Sequence, residues 1–214
     1  VDLTELLPGP YATQLLVDLG AEVIKIERPG VGDNVRALAP GMFASVNRGK
    51  RSLCLDLKHD EGRAVLRRLA TRADVLVEGY RPGVVKRLGI DYDSLRLLNP
   101  RLIYASLTGY GQTGPLAQRP GHDVNYLAAA GIVALSGAPD GPPVHQIGAP
   151  VGDLAGSMFT VVAVLGALFQ RTQSGVGQHL DVSITDALVS WMSPRIGVHM
   201  ASGHSDAAST KREV

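Results

Sequence analysis

The feature that most constrains the fold is an alternation of helical and strand patterns separated by glycine and proline. "PYATQLLVDLG" has helical apolar spacing, with Pro10 near its first turn and Gly20 past its end, and "AEVIKIE" then alternates like a strand. After a glycine-rich loop at 29–51 the pattern returns as "SLCLDL", "DEGRAVLRRLATRA" and "DVLVEG". This order predicts an α/β fold, a Rossmann-like parallel sheet with helices on both faces.

The alternation continues through the second half of the chain. A helix end and an Asn-Pro break precede the strand "LIYASLTG" at 102–109, which runs into a glycine loop. Beyond residue 121 we predict buried helices over 124–137 and 154–170, a strand over 178–185 and a last helix over 186–203.

Charge and length exclude several classes of partner. The 214 residues suffice for one domain, and 21 Lys+Arg against 20 Asp+Glu leave a net charge of +1. No global field therefore argues for nucleic acid or an anionic membrane surface, and neither is expected as a partner. The uncharged stretch 154–170 is shorter than a membrane span needs. The single Cys54 predicts a small buried hydrophobe in a reducing, cytoplasmic setting.

The two ends suggest part of a longer protein. The chain begins without Met in what resembles the end of a strand, and "VDLTELLPGP" has neither the basic start nor the long apolar centre of a signal peptide. It ends in the polar "SGHSDAASTKREV". We expect residues 1–192 to form the main domain and 193–214 a linker.

Basic residues collect in the loops that follow the predicted strands, where open parallel sheets bind ligands. These residues are Arg28, Arg81, Lys86 and Arg87, with Asn47, Arg48, Lys50 and Arg51 in the next loop. They are either solvated surface groups or a site for phosphate. The chain has neither G-x-G-x-x-G after the first strand nor G-x-x-x-x-G-K-[ST], which leaves a ligand with several phosphates but no dinucleotide or P-loop fingerprint.

Polar groups stand at the expected starts of two helices. In "GHDVNY", Gly121 allows close approach of a ligand, and His122 and Asp123 are either a structural cap or working groups. Free N–H groups at such a helix start suit a developing oxyanion. In "APVGDLAGSMF", Asp153 is either an N-cap that stabilises the helix by about 1 kcal/mol or a carboxylate in a partly dry pocket. Such a pocket raises the pKa of the carboxyl group, which could then act as a base or attack a thioester carbonyl.

Several motifs together resemble CoA-transferase family III, also called the CaiB/BaiF family. They are "PGPYATQLLVDLGAEVIKIERP", "LDLK", "EGYRPGVVKRLG", "LIYASLTGYGQTGP", "GHDVNY", "GDLAGSM" and "RTQSGVGQHLDVSITDA", in order from residue 1 to about 192. The resemblance implies the large, CoA-binding domain of that fold. The small domain and the chain's return to the large one are absent here, as is a glutamate that pairs with the histidine in the racemases.

The resemblance also implies a ligand and a set of binding residues. The ligand is a coenzyme A thioester, a substrate rather than a permanently bound cofactor, with its adenine near Asp56 to Lys58. The candidate CoA-binding residues are Arg28, Asp56, Leu57, Lys58, Arg81, Pro82, Gly83, Arg87 and Gly121. No metal is expected. The full-length protein is expected to form an interlocked homodimer.

Three functions remain open. In the α-methylacyl-CoA racemases, the matching histidine and aspartate exchange the α-proton through an enolate; this is the favoured hypothesis, with His122 and Asp153 as acid and base and the N–H of Asp123 as the oxyanion donor. In the CoA transferases, the aspartate is the nucleophile and an aromatic residue usually replaces the histidine. The third hypothesis is a catalytically silent CoA-binding domain.

Overall fold

A computed structural model describes residues 1–136, 138, 140–144 and 148–202. Over these residues a six-stranded parallel sheet forms the centre of the fold, in the order β3-β2-β1-β4-β5-β6. The strands are β1 (Asp2–Leu3), β2 (Ile24–Glu27), β3 (Arg51–Cys54), β4 (Val75–Glu78), β5 (Ile103–Thr108) and β6 (His179–Ser183). The predicted Rossmann-like parallel sheet is confirmed.

Ten helices connect and cover these strands in the described part of the chain. They are α1 (Pro8–Asp18), α2 (Val35–Leu38), α3 (Pro40–Asn47), α4 (Asp60–Ala70), α5 (Val84–Leu88), α6 (Tyr92–Arg96), α7 (Asp123–Ala129), α8 (Val151–Ser174), α9 (Ile184–Trp191) and α10 (Ser193–Ser202). A short 3-10 turn follows α7 at Val133–Leu135. α10 occupies the first part of the predicted linker.

Apolar side chains from alternate strand positions build a core on each face of the sheet. On one face Leu76 and Tyr104 pack with Leu66 of α4 and Leu95 of α6. On the other, Val77 and Ala105 pack with Ala12, Leu16, Val161 and Val164 of α1 and α8. Because the side chains of a strand alternate in direction, β4 and β5 contribute to both cores. Helices therefore cover both faces, as the alternation predicts.

The strand order reverses at the pair β1 and β4. From β1 the chain winds outward through β2 to β3, and from β4 it winds the other way through β5 to β6. The loops after β1 and β4 therefore part from each other above the carboxyl edge of the sheet. Such a topological switch point is where open α/β sheets form their ligand crevice.

Four local predictions were wrong. The loop at 29–51 contains the helices α2 and α3, and the helix expected over 124–137 ends at Ala129, before Gly131 with its φ of 82°. The single helix expected over 186–203 is two, α9 and α10. Cys54 is exposed, because β3 is an edge strand with little packed outside it.

Helix α8 contains the predicted helix 154–170 but is only partly buried. It packs against α1 and α9, yet Met158, Val162, Leu165 and Phe169 form an exposed stripe along its outer side. By length and composition alone α8 could cross a membrane, a test that core helices of folded domains also pass. Its contacts with the sheet and with α1, α7 and α9 identify it as a helix of this core.

Candidate active site

A cleft of about 320 Å³ opens at the topological switch point. Its walls are the loops after β1, β4 and β5, together with the start of α7. The lining includes Thr4, Leu6, Arg81, Tyr110, Arg119 and His122. The cleft therefore lies at the carboxyl edge of the sheet, where the alternation of strands and helices predicts a ligand site.

Buried ion pairs fix the loops on the β1 and β2 side of this cleft. The Nζ of Lys25 lies 3.0 Å from Oδ2 of Asp33 and donates a hydrogen bond of 2.7 Å to the carbonyl of Thr4. The Nζ of Lys50 lies 3.1 Å from Oδ2 of Asp2, whose other oxygen accepts from the Thr4 amide. Burial works to raise the pKa of Asp2, but the two lysines and the hydrogen bonds from Thr4 together lower that pKa. The four charged groups hold the β1–α1 loop against the sheet.

The β1–α1 loop has an unusual backbone at Leu6. Leu6 adopts a φ of 67°, a left-handed conformation that is uncommon for residues other than glycine. Its N–H donates to Oδ1 of Asp33 at 3.2 Å, which holds the turn in place. Next to it, Glu5 pairs with Arg28 at 3.0 Å, and burial raises the pKa of Glu5 although Arg28 opposes the shift. The strain at Leu6 thus sits on the cleft wall.

His122 ends the cleft on the other side, directly before α7. Its backbone N–H donates to Oδ1 of Asn125 at 2.9 Å, and helix α7 begins at Asp123, one residue before the predicted start. The hydroxyl of Tyr126 donates to the carbonyl of Gly121 at 2.6 Å, and its ring lies against Gly109 and Gly121 so closely that a Cβ on either glycine would overlap it. These contacts fix the His122 backbone while its side chain stays exposed.

Asp153 lies in the first turn of α8, two residues after the helix begins at Val151. It is therefore not the N-cap, which is Pro150. Its backbone N–H donates to Oδ1 of Asp123 at 3.0 Å. Burial raises the pKa of Asp153 to about 6, the charge of Asp123 adds to the shift, and His122 opposes it. The half-buried carboxyl is thus suited to take up and release a proton near neutral pH.

The structure brings together only some of the residues predicted to bind coenzyme A. Arg81, Pro82 and Gly121 line the cleft. Gly83, with a φ of 87°, precedes α5, and the guanidinium of Arg87 lies above it. The others stand outside the cleft at the carboxyl ends of β2 and β3: Arg28 after β2, and Asp56, Leu57 and Lys58 after β3.

Four residues of the predicted basic cluster lie elsewhere. Arg48 follows α3 and pairs with Asp18 at the end of α1. Lys50 is in the buried ion network, and burial lowers its pKa to about 8. Asn47 is buried and accepts from Lys50 Nζ at 2.9 Å. Arg51 begins β3 at the amino edge of the sheet, opposite the cleft, and pairs with Glu22. The prediction that these residues could bind phosphate is therefore wrong for Asn47 and Lys50, whose side chains are buried, while Arg48 and Arg51 lie away from the cleft.

Several residues of the site were not predicted from the sequence. Arg119 and Tyr80 line the cleft, and Glu78 lies buried at the end of β4, where burial raises its pKa to about 7. Its Oε2 accepts from the Tyr80 amide at 2.8 Å and so holds the loop after β4. Glu78 could have been predicted as a site residue because it is a charged residue at the end of the apolar strand "DVLVEG". Among the described residues no group of three or more His, Cys, Asp and Glu could hold a metal ion.

Comparison with known proteins places this geometry in a family. The profile of "CoA-transferase family III" matches residues 1–214. A solved CAIB/BAIF family protein from Brucella suis superposes with a TM-score of 0.90 at 39% identity, covering 95% of this chain and 56% of that one.

Two curated relatives have different activities. Acetyl-CoA:oxalate CoA-transferase of Acetobacter aceti is 44% identical over 97% of this chain and 55% of its own length. Human alpha-methylacyl-CoA racemase is 38% identical over 99% of this chain and 56% of its own length. The chain thus spans about half the length of the curated relatives it matches.

Proposed function

Because this chain belongs to CoA-transferase family III, we propose that its cleft binds an acyl-CoA thioester and that Asp153 reacts with the acyl group. The loops after β2, β3 and β4 bind the coenzyme, with phosphates at Arg28, Arg81 and Arg87. The adenine lies by Asp56 to Lys58, and the thioester reaches past His122 toward Asp153. The protein at its natural full length works as an interlocked homodimer.

The favoured reaction is exchange of the α-proton, as in an α-methylacyl-CoA racemase. The observation that supports it is the presence of two groups able to move a proton, at the starts of two adjacent helices. His122 lines the cleft. Burial raises the pKa of Asp153 to about 6, and the charge of His122 opposes this shift. One group removes the proton from one face of the α-carbon, and the other returns a proton to the opposite face. Each contributes a factor of about 10² to 10⁴.

The enolate formed between these two steps needs a hydrogen-bond donor at its oxygen. The backbone N–H of Asp123 serves as this donor in the proposal, which is supported by its position in the first turn of α7, directly after His122. A preorganised donor at a developing oxyanion is worth about 2.7–4 kcal/mol of barrier in enzymes where one was removed.

A second candidate is CoA transfer, which the names of several relatives favour. Asp153 then attacks the thioester carbonyl and the CoA thiolate leaves, giving a mixed anhydride. The thiolate attacks the aspartyl carbonyl, which releases the first carboxylic acid and leaves an aspartyl-CoA thioester. A second carboxylate then attacks the carbonyl of the aspartyl-CoA thioester and displaces the CoA thiolate, giving a second mixed anhydride. The thiolate attacks the acyl carbonyl of the acceptor, which forms the new acyl-CoA and releases the Asp153 carboxylate. His122 in this case only lines the pocket.

Deuterium incorporation separates the two reactions. The protein that carries this chain, at its natural full length, is incubated with a 2-methylacyl-CoA in D2O, and α-carbon deuteration is followed by mass spectrometry. We expect uptake that falls by about 10² to 10⁴ in His122→Ala and in Asp153→Asn. His199→Ala removes an exposed histidine on α10 that does not line the cleft, and it serves as the control.

Other outcomes identify the alternatives. Absence of uptake, together with a hydroxylamine-sensitive adduct on the Asp153 peptide when an acyl-CoA is added, indicates the transferase. Full activity in Asp153→Asn would exclude both reactions. Unchanged CoA binding without any turnover would indicate a silent binding domain.

A further inference from the structure

The Asp123 carboxylate connects the two helix starts that carry His122 and Asp153. It belongs to the first residue of α7, directly after His122, and its Oδ1 accepts the backbone N–H of Asp153 at 3.0 Å. One side chain therefore ties the first turn of α8 to the start of α7. The relative position of the His122 and Asp153 side chains therefore depends on this contact.

A glycine in α8 makes room for this carboxylate. A Cβ at Gly152 would lie 2.9 Å from Oδ1 of Asp123 and 3.3 Å from Cδ1 of Leu188. Gly152 is buried, so no side chain could turn away into solvent. Any larger residue there would push the Asp123 carboxylate from the α8 turn.

From these contacts we infer that Asp123, through its carboxylate, is a positioning residue for Asp153, an inference that rests on the proposed function. The carboxylate orients the first turn of α8 and places a negative charge beside the reacting carboxyl. A negative neighbour makes Asp153 a stronger base, because it disfavours the ionised form. The role is separate from that of the Asp123 backbone N–H.

The other groups near Asp153 are few and identifiable. From α7 and the residue before it, Asp123, His122 and Tyr126 interact electrostatically with Asp153. The start of α1 brings the backbone carbonyl of Pro8, which accepts from Ser157 of α8 at 2.7 Å, and α9 brings the apolar Leu188, which lies near Gly152. Burial is the larger cause of the raised pKa of Asp153, and among these neighbours Asp123 adds to the shift while His122 reduces it.

The alternative is a purely structural role, in which the Asp123 carboxylate only accepts a hydrogen bond from an amide in the first turn of α8. A cap of this kind affects stability by about 1 kcal/mol but leaves the pH profile of activity where it is. The test must therefore read the protonation of Asp153 as well as the folding of the protein.

The experiment compares pH profiles of kcat and kcat/KM for Asp123→Asn and Asp123→Ala in the natural full-length protein. Asparagine keeps an oxygen acceptor for the Asp153 amide and removes the charge, so we expect the acid limb to move to lower pH. Alanine removes both, and we expect kcat to fall on the order of 10²-fold from misplacement of the reacting group. Asp93→Asn removes an exposed carboxylate on α6 and should leave the limb unmoved.

Asp153→Asn is measured in the same assay so that two failures can be told apart. Activity that survives in Asp153→Asn overturns the proposed function. An inactive Asp153→Asn with an unmoved limb in folded Asp123→Asn overturns only this inference. If Asp123→Asn does not fold, Gly152→Ala takes its place, since the added Cβ displaces the same carboxylate, and an unmoved limb there refutes the inference equally.

Discussion

Replacement of Lys25 by methionine tests whether the buried ion network holds the fold at the cleft. Lys25 is 2% exposed, and its Nζ contacts Asp33 at 3.0 Å and the Thr4 carbonyl at 2.7 Å. Methionine has a similar length without the charge, so packing along the side chain is retained. The substitution isolates the loss of the cation.

The expected loss follows from which carboxylate is left without a partner. Asp2 keeps Lys50 at 3.1 Å, whereas Asp33 loses the cation nearest to it and keeps the amides of Leu6 and Val35 as donors to Oδ1. Breaking a buried pair by removing one partner costs about 3–5 kcal/mol. Because Asp33 retains two donors, we expect the lower end, about 3 kcal/mol, which lowers Tm by about 6–12 °C in a domain of this size.

Urea unfolding of Lys25→Met and of Lys25→Met/Asp33→Asn measures this effect. The second change removes the stranded charge but keeps an oxygen for the two amides, so it should restore about half of the loss or more. Lys86→Met, on the exposed side of α5, should change stability by less than about 0.5 kcal/mol. A loss below about 1 kcal/mol in Lys25→Met, or a double variant no more stable than the single one, would refute the reasoning.

Two further predictions concern the cleft. A Cβ at Gly109 would lie 2.2 Å from the Tyr126 ring, so Gly109→Ala should lower the free energy of unfolding by about 1–3 kcal/mol in thermal unfolding. Gly41 has open space around it, so Gly41→Ala should cause no loss of stability. Equal stability of the two variants would contradict the predicted overlap with Tyr126. Burial raises the pKa of Glu78 from 4.5 to about 7. The folded protein then binds more protons than the unfolded chain in that window, so stability should fall by up to about 3 kcal/mol as pH rises through it. Glu78→Gln should remove this part of the pH dependence, and parallel curves for variant and wild type would show that Glu78 is not its source.

The elements that could be predicted from sequence are those whose apolar spacing is local. Strands β2, β4 and β5 and helix α4 follow from short periodic runs bounded by turn residues. Helices α2 and α3 were missed because Pro40 divides them and their support is distant. The Arg36 guanidinium stacks 3.9 Å from the Phe43 ring and pairs with Glu27 of β2. Such long-range contacts produce no periodic pattern in the sequence.

The same limit explains the outcome at the site. The loops of the cleft and the starts of α7 and α8 were predictable, because glycines and polar residues mark strand and helix ends. The internal role of Lys50 was not, since its partner Asp2 lies 48 positions away and its burial depends on α3. The contact between Asp123 and Asp153 likewise spans 30 positions and the segment between two helices.

The reversal of strand order at β1 and β4 has a consequence for how the chain acquires its structure. The seam between the halves unites Val1 with Val75, 74 positions apart, and within the second half β5 and β6 pair Tyr104 with His179. Closing contacts between such distant positions costs more loop-closure entropy than closing local ones. The sheet therefore needs two long-range closures, one at the β1–β4 seam and one between β5 and β6. Since the loops after β1, β4 and β5 form the walls of the cleft, its geometry depends on both closures.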